Sequence, residues 1–315
     1  MKYTIRQFEK DDFKIISEFH RISFKSRYTQ NFFKGKYNTT CFFDKYLGFF
    51  AVDENNNEGA YYGVFPIKII YNNKELLAAQ SGDTMTLLQH RGKGLFTNLA
   101  RHTFAYASEV GVAFIFGFPN NNSLPGFKKM GWMFPGSWNK YTIKNSGLDF
   151  STIYKILYKS GMSIPKRIEN RLNRFKVEFD EITWKQYLPE GVDGFVLKDK
   201  VFFNYKSYSS SMLIEIDGFY IHVKLTASAL IIGDISHFDS YRIKDFISAV
   251  KKLLSQVCLN NAYLSVSKNH WVNQYFEKEN IEGEETDSKI GFYNTSNAAY
   301  DFNRFMLSYI DADFY

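Results

Sequence analysis

Cysteine and long apolar runs are both scarce in this chain of 315 residues. Its two cysteines, Cys41 and Cys258, lie far apart and lack metal-ligand spacing, so neither a disulfide framework nor a zinc site is expected, and both are predicted to be core thiols. No stretch reaches the roughly 18 apolar residues of a membrane span. The N-terminal MKYTIRQFEKDDF lacks the apolar core of a signal peptide. We therefore expect a soluble, cytoplasmic protein without membrane contact.

The excess of positive charge is also small, with 39 basic against 33 acidic residues and a net charge of +6 at pH 7. A nucleic-acid-binding protein usually concentrates positive charge on one face, so no nucleic-acid partner is expected. Hydrophobic residues make up 45% of the chain, and its length is enough for two compact units, each with its own core. The composition thus predicts a globular protein of two domains.

Apolar periodicity predicts a mixed order of strands and helices in the first part of the chain. A strand over residues 3–8 precedes a helix that ends near residue 24. Three strands follow between residues 48 and 88, separated by the turn sequences DENNNEG and YNNKE. A helix over 95–110, a short buried strand over 112–119, a short helix and a further strand complete the order. This order predicts a mixed α/β fold.

The stretch Arg91-Gly92-Lys93-Gly94 lies between an apolar strand and an apolar helix. Such a junction directs backbone N–H groups toward one point at the positive end of a helix dipole, where a phosphate or pyrophosphate can bind. The alternative is an ordinary structural turn. Neither G-x-x-x-x-G-K-[ST] nor G-x-G-x-x-G is present, which rejects the nucleotide-hydrolase and dinucleotide loops.

This junction resembles the cofactor loop of the GCN5-related N-acetyltransferase (GNAT) family, [QR]-x-x-G-x-[GA]. The loop fits in two registers, on Gln89, Gly92 and Gly94 or on Arg91, Gly94 and Phe96, and the following helix favours the second. The segment FPNNNSLPGFKKMGW is similar to the family's N-x-x-[AS]-x-x-x-[YF]-x-x-x-G-[FW]. Its matching positions are Asn120, Ser123, Phe127, Gly131 and Trp132.

The resemblance implies a GNAT-like mixed sheet flanked by helices and acetyl-CoA as cosubstrate, with no metal. Phe127 stands where the family often has the tyrosine that protonates the leaving thiolate, so one expected catalytic group is absent. The residues implied to bind the cofactor are Met85, Leu87, Arg91, Gly92, Lys93, Gly94, Leu95, Phe96, Thr97, Asn120, Ser123 and Phe127. The backbone from Met85 to Leu87 is expected to offer N–H groups to the thioester carbonyl.

The C-terminal part repeats the order of three strands, helix, strand, helix and strand, but Asp239 and Tyr241 replace the glycines of the loop. It is predicted to be a degenerate GNAT-like half without a cofactor site. The layout is similar to acetyltransferases of polysaccharide clusters and, more remotely, to tandem-domain aminoglycoside acetyltransferases. The predicted division is an acetyl-CoA-binding domain over 1–145, a connector over 146–194 and the degenerate half with its tail over 195–315.

The connector contains IPKRIENRLNRFK, which places Ile164, Ile168, Leu172 and Phe175 on one helical face and basic residues around it. A basic amphipathic helix can lie on an anionic membrane or bind a partner. The alternative is a linker helix packed on one of the domains, with its basic face in solvent.

Proton abstraction from an acceptor amine has several candidates. Asp83 is the one carboxylate between Leu76 and Leu88, and burial is expected to raise its pKa toward a value suited to a base. Alternatively, Asp83 satisfies backbone donors at a strand bulge. His90 is a weaker candidate because a histidine there often caps a helix or faces solvent.

The tail SYIDADFY offers Asp311, Asp313 and the terminal carboxylate of Tyr315. Its aromatic residues favour docking, and in the tandem aminoglycoside enzymes the chain terminus enters the active cleft. Tyr315 is therefore the second candidate base.

The predicted function is acetyl transfer from acetyl-CoA to a primary amine on a small substrate, with amino sugars as one suggested class. Three alternatives stay open: a catalytically inactive acyl-CoA-binding protein, a scaffold protein, and an aminoacyl transferase with tandem GNAT domains. A homo-oligomer is compatible with the sequence.

The loss of loop glycines from the second half predicts the binding stoichiometry. Calorimetric titration with acetyl-CoA is expected to give one molecule per chain, because one strand-to-helix junction has glycines that free its N–H groups. A measured value of two would contradict the interpretation of residues 195–293 as a half without a cofactor site.

Overall fold

The computed structural model describes residues 2–26, 28–145, 166–226 and 228–313. The chain divides into two compact units, each made of separate stretches. The first unit comprises Met1–Gly136, Gly194–Leu197 and Ser288–Asn303, and the second comprises Ser137–Asp193, Lys198–Asp287 and Arg304–Tyr315. Whereas the predicted domains are continuous segments, each unit takes a strand from the opposite half of the sequence.

The elements up to residue 129 follow the predicted order, with one additional short helix, Gln30–Lys36. The strands are β1 Tyr3–Gln7, β2 Leu47–Asp53, β3 Glu58–Tyr71, β4 Lys74–Thr86 and β5 Phe114–Gly117, and the helices are α1 Phe13–Phe24, α2 Gln30–Lys36, α3 Leu95–Glu109 and α4 Leu124–Lys129. The turn YNNKE is a two-residue hairpin in which Asn72 and Asn73 both have left-handed backbones, with φ of 49° and 60°. Asparagine tolerates that conformation, so the predicted hairpin is confirmed.

The remaining elements complete both units. The strands are β6 Met133–Lys144, β7 Gly194–Val196, β8 Ser211–Ile216, β9 Phe219–Leu225, β10 Leu230–Ile235, β11 Asn261–Ser267, β12 Glu284–Asn294 and β13 Phe305–Met306. The helices are α5 Lys166–Leu172, α6 Lys200–Lys206, α7 Ile243–Gln256 and α8 Val272–Lys278. Short 3-10 turns precede α1, α3 and α7. The predicted mixed α/β fold is confirmed.

The sheet of the first unit runs β1-β2-β3-β4-β5, followed by the end of β12. Its neighbours are antiparallel except for β4 and β5, which pair in parallel only from Ala79–Ser81 to Ile115–Gly117. Strand β4 continues to Thr86, whereas β5 ends at Gly117. Within the described ranges, no strand pairs with the β5-facing edge of β4 from Gly82 to Thr86. The sheet is therefore open at this point.

Two apolar clusters cover the faces of this sheet. Helices α1 and α2 pack with Phe50, Tyr61 and Met85 on one face. Residues of α3 and α4 pack with Tyr62 and Val64 on the other face. Adjacent strand residues such as Tyr61 and Tyr62 point to opposite faces because side chains alternate along a strand. The open end of β4 thus has a helical layer on each side.

The second unit repeats this pairing scheme. Strands β8, β9 and β10 are antiparallel neighbours, β10 pairs in parallel with β11, and β11 pairs antiparallel with β6. In both units an antiparallel trio is therefore followed by a parallel pair and an antiparallel last strand. That last strand is β12 in the first unit and β6 in the second.

The basic connector helix corresponds to α5 in the described residues, while Ile164 lies outside them. Ile168 and Leu172 are buried. The guanidinium of Arg171 donates to the carbonyl of Gln256, at 3.1 Å, and contacts the sulfur of Cys258, at 2.8 Å. These contacts agree with the second interpretation of the connector, a linker helix that packs on one of the domains.

The C-terminal segment is docked as its aromatic content predicts. Five apolar side chains between residues 305 and 312 are buried, namely Phe305, Met306, Leu307, Ile310 and Ala312. The ammonium of Lys206 donates to the carbonyl of Ala312, at 2.9 Å. Tyr315, the candidate base, lies outside the described residues.

Cys41 is exposed, so the prediction of a core thiol is wrong there: it ends a 3-10 turn of polar residues, Thr39–Cys41, outside the apolar layers. Among the described helices, none has the length and apolar character needed to traverse a bilayer.

The packing of α3 predicts the cost of losing a core leucine. Leu99 is 1% exposed, whereas Leu88 is 74% exposed. Leu99→Ala is expected to lower the free energy of unfolding by about 2–5 kcal/mol, since it leaves a cavity. The same truncation at Leu88 should change it by about 0.5 kcal/mol or less. Urea titrations of the two variants measure both values, and equal losses would contradict the assignment of Leu99 to the core.

Candidate active site

The loop after β4 owes its conformation to two glycines. Gly92 and Gly94 have φ of 73° and 71°, and a Cβ atom at either position would meet no atom within 4 Å. The requirement for glycine is therefore backbone conformation and not lack of space. A left-handed backbone costs other residues roughly 1–2 kcal/mol. This conformation leads directly into α3, which begins at Leu95.

The amino end of α3 is free of side-chain caps among the described residues. Its N-cap is Gly94, which has no side chain to accept from the first-turn N–H groups. The first N–H groups of a helix have no partner within the helix and carry its positive partial charge. The loop and α3 therefore present a set of donors suited to an anion.

A cavity of about 540 Å³ lies in the first unit at this helix end and at the open end of β4. Four parts of the unit contribute to its wall: the end of α1, the end of β4, the loop with the start of α3, and the segment that leads into α4. The lining residues are Ser23, Phe24, Thr84, Met85, Thr86, His90, Arg91, Gly92, Gly94, Leu95, Phe96, Asn120, Asn122, Ser123 and Gly126.

Eight of the predicted cofactor residues meet at this cavity. They are Met85, Arg91, Gly92, Gly94, Leu95, Phe96, Asn120 and Ser123. The side chain of Arg91 donates through Nε to the carbonyl of Thr86, at 3.2 Å, which links the loop to the end of β4. The carboxamide oxygen of Asn120 accepts from the N–H groups of Asn122 and Ser123 and so shapes the turn before α4.

Four other predicted residues do not line the cavity. The N–H of Leu87 donates to the carbonyl of Gly59, at 3.0 Å, so it is not available to a thioester. The ammonium of Lys93 donates to the carbonyl of Gln89 and the hydroxyl of Tyr3. Thr97 lies in the first turn of α3.

Phe127 is the fourth of these residues. Its ring is buried and packs on Trp132, with 4.5 Å between ring centroids. Its place in the core explains why an apolar ring occupies this position.

Part of the cavity wall was not predicted from the sequence. Thr84 and Thr86 flank Met85 on β4, so the strand assignment itself could have indicated them. Ser23 and Phe24 come from α1, some sixty residues earlier, and no sequence pattern connects them to the loop.

His90 is buried and does not face solvent. Its Nδ1 lies 2.7 Å from the hydroxyl of Tyr3. A Cβ on Gly59 would lie 2.6 Å from its ring, so this glycine makes room for the imidazole. His90 therefore anchors the loop to β1 and β3.

Asp83 lies in a bulge of β4. Tyr61 pairs with Met85 and Gly63 pairs with Gly82, so two residues of β4, Asp83 and Thr84, oppose Tyr62 alone. The backbone of Asp83 is left-handed, with φ of 52°. The bulge agrees with the alternative prediction, but the carboxylate contacts the side chains of Lys36 and His20 and not the backbone donors that this prediction expected.

The carboxylate of Asp83 is enclosed by potential cations. Its Oδ1 lies 2.7 Å from Nζ of Lys36 and 2.9 Å from Nε2 of His20, and all three side chains are buried. Burial by itself would raise the pKa of Asp83, but its electrostatic interactions and hydrogen bonds with Lys36 and His20 outweigh burial and hold this pKa below its usual range. The expectation of a raised pKa was wrong, because the sequence did not reveal these two partners.

Asp311 is also engaged. It is fully buried, and its carboxylate lies 3.2 Å from Nζ of Lys198. It also accepts from the N–H of Ser308, at 2.8 Å. The expectation of an acidic substrate-binding surface is therefore wrong for Asp311, which fixes the tail inside the second unit. The carbonyl of Asp313 accepts from the hydroxyl of Tyr208.

Comparisons with known proteins agree with the predicted family resemblance in the first part of the chain. Residues 4–134 match the family model described as an acetyltransferase (GNAT) domain. The matched residues include every residue that lines the cavity. No curated protein sequence matches the chain.

Solved structures extend the likeness over both units. A conserved protein of Enterococcus faecalis, described as a probable N-acyltransferase, matches 94% of this chain and 73% of its own with a TM-score of 0.63 and 11% identity. A GCN5-related N-acetyltransferase from Kribbella flavida aligns with 93% of this chain over 71% of its own length, with a TM-score of 0.61 and 9% identity. N-myristoyltransferase of Saccharomyces cerevisiae, with bound myristoyl-CoA, aligns with 94% of this chain over 83% of its own length, with a TM-score of 0.56 and 11% identity. At these identities the likeness is one of fold.

The charge of Asp83 predicts a pH dependence of stability. A carboxylate whose pKa is lowered by folding stabilises the native state above its unfolded pKa, about 3.9. This contribution is lost as the pH falls further. The difference in free energy of unfolding between wild type and Asp83→Asn should therefore be constant from pH 7 to 5 and shrink below about pH 4. Urea unfolding across this range measures it, and a difference that grows on acidification would show that Asp83 is neutral in the native state.

Proposed function

We propose that this protein is an acyl-CoA-dependent N-acetyltransferase that moves an acetyl group from acetyl-CoA to a primary amine. The observation that carries the proposal is the cavity in the first unit, which joins two kinds of donor. The glycine loop and the amino end of α3 can bind phosphate, while the unpaired edge of β4 offers backbone groups to a thioester. The GNAT match over residues 4–134 favours the same chemistry.

In this proposal the diphosphate of acetyl-CoA binds at the loop. Gly92, Gly94 and Leu95 provide backbone N–H groups, and Arg91 provides a positive charge at the same wall of the cavity. The pantetheine arm extends along Thr84 to Thr86, where peptide groups on the open edge of β4 can bind its amides.

Acetyl transfer then requires few groups from the protein. The amine nitrogen attacks the thioester carbonyl, the new C–N bond forms as the C–S bond breaks, and the proton lost by nitrogen balances the thiolate that leaves. Backbone N–H groups near Met85 stabilise the negative charge on the carbonyl oxygen in the transition state. Holding donor and acceptor together in one cavity supplies a further part of the rate enhancement.

In this proposal, solvent takes up the proton that the acceptor amine loses. Asp83 is an unsuitable base because its pKa lies below the usual range, far from the operating pH at which a base is most efficient. Phe127 has no hydroxyl with which to protonate the thiolate. We therefore infer that the amine enters in its neutral form, with water as the proton carrier in the open cavity.

The second unit is proposed to be a degenerate GNAT-like half that binds no acetyl-CoA, as in tandem-domain enzymes. Asp239 and Tyr241 stand at its strand-to-helix junction. Amino sugars are the first acceptor class to screen, since the resemblance to polysaccharide-cluster enzymes suggests them.

A second candidate function is acyl-CoA binding without turnover. It is supported by two observations: Phe127 is a core residue, and the carboxylate of Asp83 is held in ion pairs. A panel of amines, including amino sugars, polyamines and aminoglycosides, separates the candidates by release of free CoA thiol. Acetyl-CoA binding without thiol release on any amine favours the binder, whereas absence of binding favours an aminoacyl transferase or a scaffold.

The loop predicts a position-specific loss of affinity. Gly94→Asp places a carboxylate at the proposed phosphate site and is expected to weaken acetyl-CoA binding about 100-fold, from bulk, strain and charge repulsion together. Isothermal titration calorimetry measures this affinity.

Gly111→Asp is the matched control. Gly111 is also left-handed, with φ of 84°, and also has open space, but it follows the carboxyl end of α3, about 22 Å away along the helix. It should lose similar stability and keep wild-type affinity. Equal affinities for the two variants would remove the loop from the binding site.

A further inference from the structure

The bulge of β4 is a strained feature in the wall of the cavity. Asp83 has a left-handed backbone although it is not glycine, and the three residues that follow it, Thr84, Met85 and Thr86, all line the cavity. Such strain persists only where the surrounding structure holds it. A bulge also sets which face each later residue of a strand presents. The orientation of the cavity wall therefore depends on what holds Asp83.

Side chains from two helices contact the carboxylate of Asp83. Lys36 ends α2 and His20 lies in α1, and each places a nitrogen within 3 Å of Oδ1 of Asp83. Lys36 also lies over the ring of Phe65, with Nζ 5.0 Å from the ring centroid. His20 is packed between Phe24 and Phe33, at 5.1 and 4.6 Å between ring centroids. Both partners therefore contact aromatic rings as well as the carboxylate.

The hydroxyl of Tyr37 belongs to the same polar group. Tyr37 is fully buried, and burial first and the charge of Asp83 second raise its pKa. It therefore stays protonated at neutral pH. Asp83 thus faces Lys36, His20 and a neutral phenol, an arrangement that keeps the carboxylate in place.

The second unit contains a similar buried ion cluster beside a register shift, although the backbone of its aspartate is not left-handed. Gly233-Asp234 repeats Gly82-Asp83, and the register of β10 shifts between Ile232 and Asp234. Asp234 is buried, 3.1 Å from Nζ of Lys198 and 3.5 Å from Nε2 of His270. A catalytic base is not expected in a half without loop glycines. The repeat therefore favours a role in positioning the strand over a role in proton transfer.

We propose that Lys36 and His20 are positioning residues of acetyl transfer, which hold Asp83 so that the β4 bulge presents Thr84 to Thr86 to the cavity. This proposal rests on the proposed function for its catalytic meaning, while its structural part concerns the free protein. The pair of Lys36 and Asp83 is buried, so removal of one member leaves a buried group without its nearest counter-charge. Replacement of both side chains by uncharged ones of similar shape costs the folded protein far less stability.

The experiment is a double-mutant cycle with Lys36→Met, Asp83→Asn and the double variant. Asparagine tolerates a left-handed backbone, so Asp83→Asn keeps the conformation accessible. In the free protein, hydrogen exchange of residues 82–88 is followed by mass spectrometry. Acetyl-CoA affinity is measured by calorimetry, and the pH profile of kcat is recorded on an amine that the wild type acetylates. The matched control is Lys198→Met with Asp234→Asn in the second unit.

Lys36→Met is expected to speed exchange over residues 82–88 and to weaken acetyl-CoA binding about tenfold. The double variant should recover affinity to within about threefold of wild type, with an unchanged pH profile. The control pair should leave exchange over 82–88 and acetyl-CoA affinity at wild-type values, whatever its effect on melting temperature.

Two results would overturn the proposal. The first is wild-type exchange over 82–88 in folded Lys36→Met. The second is loss of turnover in both Asp83→Asn and the double variant with wild-type acetyl-CoA affinity, which would make Asp83 the general base. If the wild type neither binds acetyl-CoA nor releases thiol, the proposed function fails, and the exchange measurement still decides whether the cluster holds the bulge.

Discussion

The ion pair between Lys36 and Asp83 is the interaction on which the candidate site depends. It connects α2 to a strained residue of β4 at the level where β4 and β5 separate. Without a counter-charge, a buried carboxylate at this position would be costly to ionise. With it, a charged side chain is accommodated inside an aromatic core, and the strand continues beyond the bulge to form the cavity wall.

The separation of β4 and β5 creates the site because, among the described strands, none pairs with the peptide groups that it leaves on this edge of β4. The parallel pairing extends over three residues of each strand, after which β4 runs on to Thr86. The glycine loop then turns the chain into α3, whose amino end lies at the same cavity. One open strand edge and one uncapped helix end therefore meet in a single space, and both present backbone donors. Such donors suit a ligand with a diphosphate and a chain of amides.

Much of this fold could be predicted from the sequence because the signals are local. Apolar periodicity located β1 to β5 and α3, and Asn72 and Asn73 indicated their hairpin. The glycines at 92 and 94 indicated the loop through a requirement of backbone conformation, which a sequence expresses directly. The docking of the tail followed from its aromatic residues.

The features of the site that the sequence did not predict depend on contacts between distant parts of the chain. The lowered pKa of Asp83 comes from Lys36 and His20, which are 47 and 63 residues away in sequence. Phe127 was assigned from its motif position, but its ring packs in the core against Trp132. The burial of Asp311 beside Lys198 likewise follows from tertiary structure. In each case, burial and pairing changed the role that residue type alone suggested.

The decisive measurement is a structure of the protein with bound acetyl-CoA. We expect the diphosphate at Gly92, Gly94 and the amino end of α3, with the pantetheine arm along Thr84 to Thr86 and the thioester carbonyl facing the open edge of β4. Acetyl-CoA bound with its diphosphate away from this loop, or at the junction of residues 236–242 in the second unit, would contradict this expectation.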